Sequence, residues 1–213
     1  MPGDPRIDSY RWVGGEEAML RFGPDDGPVV VAALPLLEEA NRTRAFIVTL
    51  LRRLAERGIG GVLPDLPGQG ESLVPTRSMT LTDLRTAFAA ALPPGARSIV
   101  VRSGALLDGS ATLRWHFAPQ TGPDLARELR RVGAMGHRGD VAGNLLSTRL
   151  LSELEEDLPG RADRVVRLRG DARPADRHVD GAPLWRRAEP DNDVELAAIL
   201  ADDIAEWITT CGA

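Results

Sequence analysis

Short β-rich apolar runs alternate along this chain with stretches whose apolar residues recur at helical spacing. Residues 28–34 (PVVVAAL) are an unbroken apolar run between Asp-Asp-Gly and Pro35, which predicts a buried strand. Over 42–57 a helix places Phe46, Leu50, Leu51 and Leu54 on one face and arginines on the other, and Gly58 follows where a left-handed cap ends a helix. A second strand is expected at 60–64, and DLPGQGES at 65–72 reads as a turn-rich loop. Residues 80–92 predict another helix, capped by Thr82 with Asp83 and broken by Pro93, Pro94 and Gly95. Further strands are predicted at 97–101, 111–117 and 163–169. Two helices are predicted between 122 and 158, and a last one over 193–209.

Alternation of this kind implies a mostly parallel sheet covered by helices on both faces. Functional groups in such sheets gather at the carboxyl ends of the strands. The segments that matter are therefore 35–44, 65–72, 102–104, 118–124, 170–178 and 181–191. Neither a repeat nor a low-complexity tract interrupts the pattern, so the reading is one domain over 1–213, with 122–158 as a small helical lid or a partner surface.

Composition narrows the classes. The longest apolar stretch, Pro28 to Leu37, is half of the roughly 20 residues a membrane helix needs, and the first residues lack the apolar core of a secretory signal. A single cysteine, Cys211, allows no internal disulfide, so a cytoplasmic protein without membrane insertion is expected. A net charge of −5 argues against nucleic acid as a partner. All 26 positive charges are Arg and none is Lys, which excludes Schiff-base chemistry and a lysine-dependent phosphate loop. No cluster shows metal-ligand spacing, and neither a metal nor a cofactor is expected.

Four groups of residues could carry chemistry. VVRSGA at 100–105 has the strand-and-sharp-turn setting of a nucleophile elbow, but reads as G-x-S-x-G in neither register. Ser103 would have Val101 and Ala105 around it, whereas Arg102 would have Val100 and Gly104. Of the three histidines, His116 sits inside a strand, His137 lies between glycines, and His178 falls in the late loop where a base is expected. Asp171 directly follows the 163–169 strand, the place of an orienting carboxylate or of a turn-forming Asp. Glu38, Glu39, Asn41, Arg42 and Arg44 crowd a helix start, where capping and ion pairing compete with an oxyanion-binding role.

Several segments resemble a known family in the same order. LPDLPGQGES is similar to the Asp-x-x-Gly-x-Gly-x-Ser stretch of α/β-hydrolases. PLLEEANRTR, VVRSGALL, LRWHFAPQTGPDLARELRR, DVAGNLLSTRL and GAPLWRRAEP resemble segments of the exosortase A system-associated hydrolases, type 2, over roughly residues 28–190. The resemblance implies an α/β-hydrolase-like fold with a reduced lid, and association with exopolysaccharide production. It places Arg102 at the nucleophile slot, where the family pattern also has Arg. The loop that carries the base in α/β-hydrolases is GAPLW at 181–185, which has no His. Leu37 and Ser103 depart from the family pattern, which has a small and an apolar residue there.

Three functional readings are open. In the first, a non-standard or lost hydrolase site around Glu38, Glu39, Asn41, Arg44, Arg102 and Glu189 binds an anionic or carbohydrate-derived small molecule or a protein partner, with Arg102 paired to Glu38, Glu39 or Glu189. The second is an ester or thioester hydrolase with Ser103 as nucleophile, His178 as base and Asp171 as orienter. In the third, the protein is a scaffold of the same fold.

Overall fold

The computed structural model of the chain describes residues 4–135, 140–141 and 144–211. The five strands read from the sequence are β3 (Val29–Ala33), β4 (Gly60–Pro64), β5 (Arg97–Val101), β6 (Leu113–Phe117) and β9 (Arg164–Leu168). Three further strands join them: β1 (Arg6–Trp12), β2 (Gly15–Phe22) and β10 (Arg177–Val179). Together they form an eight-stranded sheet in the order β1-β2-β4-β3-β5-β6-β9-β10. β2 runs antiparallel to both β1 and β4, and the pairs from β4 to β10 are parallel. This is the mostly parallel sheet that the sequence suggests.

Period-2 alternation in β3 divides the core. Val30 and Ala32 face the layer of α1 (Glu38–Ala55) and α5 (Val194–Cys211). Val31 and Ala33 face α2 (Leu81–Ala91), α3 (Gly122–Met135) and α4 (Thr148–Glu155). Helices therefore cover both faces, and none among the described residues is long and apolar enough to cross a membrane.

Four local details differ from the sequence reading. α1 begins at Glu38, four residues before the expected start, so the acidic pair forms its first turn and Asn41 lies inside it. Asn41 does not cap this helix; the preceding residue is Leu37, with φ 64° and no side-chain cap. In α2 the cap is Thr80, not Thr82: its hydroxyl accepts from the Asp83 amide at 3.0 Å, and the Asp83 carboxylate accepts from the Thr80 amide at 3.2 Å. The second of the two helices expected between 122 and 158 is confined to α4, preceded by a two-stranded ladder of β7 (Asp140–Val141) and β8 (Asn144–Leu145).

Asp203 ties α5 to the sheet. Its fully buried carboxylate accepts from Trp115 Nε1 at 2.8 Å, from Arg164 Nε and Nη2 at 2.9 and 2.7 Å, and from Arg177 at 2.9 Å. Burial alone would push this carboxyl up, but Arg164, Trp115 and Arg177 together hold it below the usual carboxylate range.

Candidate functional site at the strand ends

Backbone strain marks one edge of the sheet. Among the described residues, the non-glycines with positive φ are Leu37 (64°), Arg102 (54°) and Ala118 (49°). They lie just beyond β3, β5 and β6, three adjacent strands. Such residues cost on the order of 1–3 kcal/mol each and gather where a surrounding structure enforces them, commonly at functional sites.

The turn after β5 has the tight form of an elbow, with Arg102 at the strained position. A Cβ on Gly104 would lie 2.7 Å from the Leu34 carbonyl oxygen and 2.8 Å from that of Ala33, so only glycine fits beside β3. The elbow leads into a 3-10 turn over Arg102–Leu106, not into a long helix.

Ser103 points inward and is fully buried. Its Oγ accepts a hydrogen bond from the Leu36 amide at 2.9 Å. The next amide, Leu37, donates to Gln69 Oε1 at 2.8 Å. In a hydrolase, an N–H from the loop after this strand helps to form the oxyanion hole. Here two successive N–H groups of that loop are bound by the chain's own side chains.

The other members of the sequence-derived triad lie apart from Ser103. His178, on β10, is exposed, with Nε2 3.1 Å from the Asp171 carbonyl oxygen and 3.3 Å from that of Arg173. Asp171 binds arginines instead: Arg167 at 2.9 Å and Arg173 at 2.7 Å. Arg173's hydrogen bonds, outweighing burial and aided by Arg167, hold the Asp171 carboxyl well below the usual range. His116 is buried, with Nε2 3.0 Å from Asp108 Oδ2, which also accepts from Ser98 Oγ at 2.6 Å. His137 lies outside the described residues.

Arg102 meets one of the predicted binding residues, Glu39. Its Nε and Nη2 donate to the two Glu39 carboxylate oxygens at 3.2 and 3.3 Å, and Nη2 is 3.6 Å from Glu128. Its guanidinium carbon stands 5.0 Å from the centre of the Trp185 ring. Only 7% of the Arg102 side chain is exposed. Burial pushes the Glu39 carboxyl above its usual range despite Arg102, with Glu128 adding to the shift.

Glu38, Asn41 and Arg44 belong elsewhere. Glu38 pairs with Arg42, Arg44 donates to Asp65 at 2.7 Å, and Asn41 lines a separate hollow beside the 65–76 loop. Glu189 is exposed and is not a partner of Arg102. The sequence reading missed Gln120, Glu128, Arg173 and Arg186, which stand around Arg102 at the mouth of the strand ends. Their clustering comes from tertiary contact between α3 and the loops after β9 and β10, which has no local sequence signal. Among the described residues no group of three or more His, Cys, Asp or Glu could hold a metal ion.

The strand ends open into two adjoining lobes of about 360 and 330 Å³. Both are lined by Arg102, Arg173 and Arg186. With Arg127 and Arg131, five guanidiniums share the lining with the carboxylates of Asp124, Glu128 and Asp171. The excess is positive in a chain of net charge −5, so the cleft is a local attractor for anions.

No family model matches the sequence, and no curated protein matches it. Among solved structures, an epoxide hydrolase from Vigna radiata is similar at 18% identity and a TM-score of 0.46, over 55% of this chain and 41% of that one. Epoxide hydrolase A from Mycobacterium thermoresistibile is similar at 21% identity and 0.45, over 54% and 39%. A thioesterase domain from the curacin biosynthetic pathway is similar at 18% and 0.45, over 55% and 45%. The matched region is less than half of each of these structures. The fold is described by the sheet itself: strand order, the reversal at β2 and the elbow after β5.

Proposed function

We propose that this is an α/β-hydrolase-fold protein whose strand-end site binds an anionic small molecule and does not hydrolyse esters. The observation that carries the reading is the state of the elbow. Arg102 occupies its strained position, and Ser103 Oγ and Gln69 Oε1 take the Leu36 and Leu37 amides. A site without an exposed nucleophile, with His178 bound at a loop backbone, lacks the means for acyl transfer. It retains guanidiniums around a cleft of ligand size, the equipment for recognising phosphate or carboxylate.

The proposal extends to the setting. The segments that resemble exosortase A system-associated hydrolases support a bacterial, cytoplasmic role tied to exopolysaccharide production. A single unit over 1–213, with the 122–158 segment as a reduced lid, belongs to the same proposal, because α3 supplies one wall of the cleft.

Titration of the purified chain with inorganic phosphate, followed calorimetrically, tests the binding half. Saturable binding is expected. In an Arg173→Gln, Arg186→Gln variant it should weaken about tenfold or more, the effect of losing hydrogen bonds to a charged group. A folded wild-type protein that binds no phosphate would overturn the reading.

A further inference from the structure

Each carboxylate lining the cleft is already held by a guanidinium. Asp124 accepts from Arg127 at 2.8 Å and Asp171 from Arg173 at 2.7 Å. Glu128 lies 3.6 Å from Arg102, which also holds Glu39. Two of the five cleft arginines are left over. Arg131, on α3, and Arg186, in the 3-10 turn Leu184–Arg186, line the smaller lobe and are exposed. Neither has a carboxylate partner among the described residues.

The arginines extend along the cleft and do not converge on one point. Arg102, Arg173 and Arg186 line both lobes, whereas Arg127 and Arg131 line only the lobe beside α3. Four residues apart on one helix, Arg127 and Arg131 are neighbours on one face. They carry the positive strip onward from the junction of the lobes along α3. The lobe between them, about 330 Å³, lies at the small end of the roughly 300–1,000 Å³ of small-ligand sites, which suits a compact anion.

We infer that the anion is a diphosphate. One phosphoryl group meets Arg173 and Arg186 at the junction, as inorganic phosphate would, and the second meets Arg131 on α3. A single phosphate at the junction leaves the Arg131 guanidinium uncompensated; a second linked group matches it. Phosphoryl oxygens also suit the forked donors of arginine, which bind them bidentately. A dicarboxylate offers two charges but fewer acceptor oxygens at each end. This inference rests on the anion-binding reading of the same cleft and goes further by naming the ligand class and adding Arg131 to the site.

Three probes separate the two claims: inorganic phosphate, pyrophosphate and malonate, each titrated calorimetrically into the intact chain. Pyrophosphate should bind about tenfold more tightly than either of the others. Arg131→Gln should weaken pyrophosphate about tenfold, the effect of losing hydrogen bonds to a charged group, and phosphate less than about twofold. Arg130→Gln controls for charge alone: Arg130 is the neighbouring residue on α3, pairs with Glu155 and does not line the cleft. It should weaken pyrophosphate less than about twofold. Both positions are exposed, so both variants keep the fold. If phosphate binds but pyrophosphate binds no tighter, or the two variants weaken pyrophosphate alike, the diphosphate assignment is overturned and anion binding survives. Malonate binding as tightly as pyrophosphate overturns that assignment too. If no probe binds the folded protein, both fall.

Discussion

The Leu36 amide donates to Ser103 Oγ at 2.9 Å, and this bond turns the serine after the elbow into a structural cap. The loop after β3 cannot form a helix bond there, and the buried N–H needs an acceptor. Ser103→Ala should therefore cost about 1–3 kcal/mol by stranding that amide. Thermal unfolding of the variant measures it. A Tm equal to wild type would show that the amide has another partner.

Arg102 combines a strained backbone with a buried ion pair. Replacing it by Ala or Gly removes the same contacts with Glu39 and Trp185, but only Gly relaxes φ 54°. Arg102→Gly should be more stable than Arg102→Ala by about 1 kcal/mol. Denaturant midpoints compared at equal m-value test this. The reverse order would place the strain elsewhere.

Gly104 is the second condition for the elbow. With backbone carbonyls of Ala33 and Leu34 under 3 Å from the site of a Cβ, Gly104→Ala must push β5 away from β3. The expected cost is about 3 kcal/mol, the upper range for overpacking. A variant that folds with wild-type stability would contradict the close approach.

Acid should unfold the protein through Asp203 and Asp171. Both carboxyls are held below the usual range, Asp203 by Arg164, Trp115 and Arg177 against burial, and Asp171 by Arg173 first. A depressed folded-state pKa gives stability that is present above the unfolded value, about 3.9, and is lost as pH falls through the folded one. Glu39 has the opposite sign. Burial raises its pKa, so its contribution is full below the ordinary carboxylate range and is lost as pH rises. Asp203→Asn should cost about 3 kcal/mol at neutral pH and shrink the loss as pH falls below about 4. An unchanged acid limb in urea unfolding across that range would refute the assignment.

The interior of the sheet was legible because β3, β4 and β5 are buried on both faces: β3 and β4 carry no charged residue, and β5 ends in the apolar run Ile99-Val100-Val101. The outer strands carry no such mark. In β1 only Tyr10 is buried, so the Arg6–Trp12 segment shows no apolar face, although a two-residue Val13-Gly14 turn comes after it. β10 has three residues, too few for a period. At the site, the Arg102–Glu39 contact links residues 63 apart in sequence. The sequence reading placed Arg102 at the elbow and offered Glu39 among its partners. The bond from Ser103 to Leu36 depends on which way a buried hydroxyl turns, and no pattern of residue types encodes that.

The central claim is that the elbow has no working nucleophile. A fluorophosphonate probe reacts only with a serine activated by a base and an oxyanion pocket, so the measurement is labelling of the folded wild-type protein beside Ser103→Ala. No labelling of either is predicted. Labelling of the wild type that disappears in Ser103→Ala would contradict the account and establish a serine hydrolase.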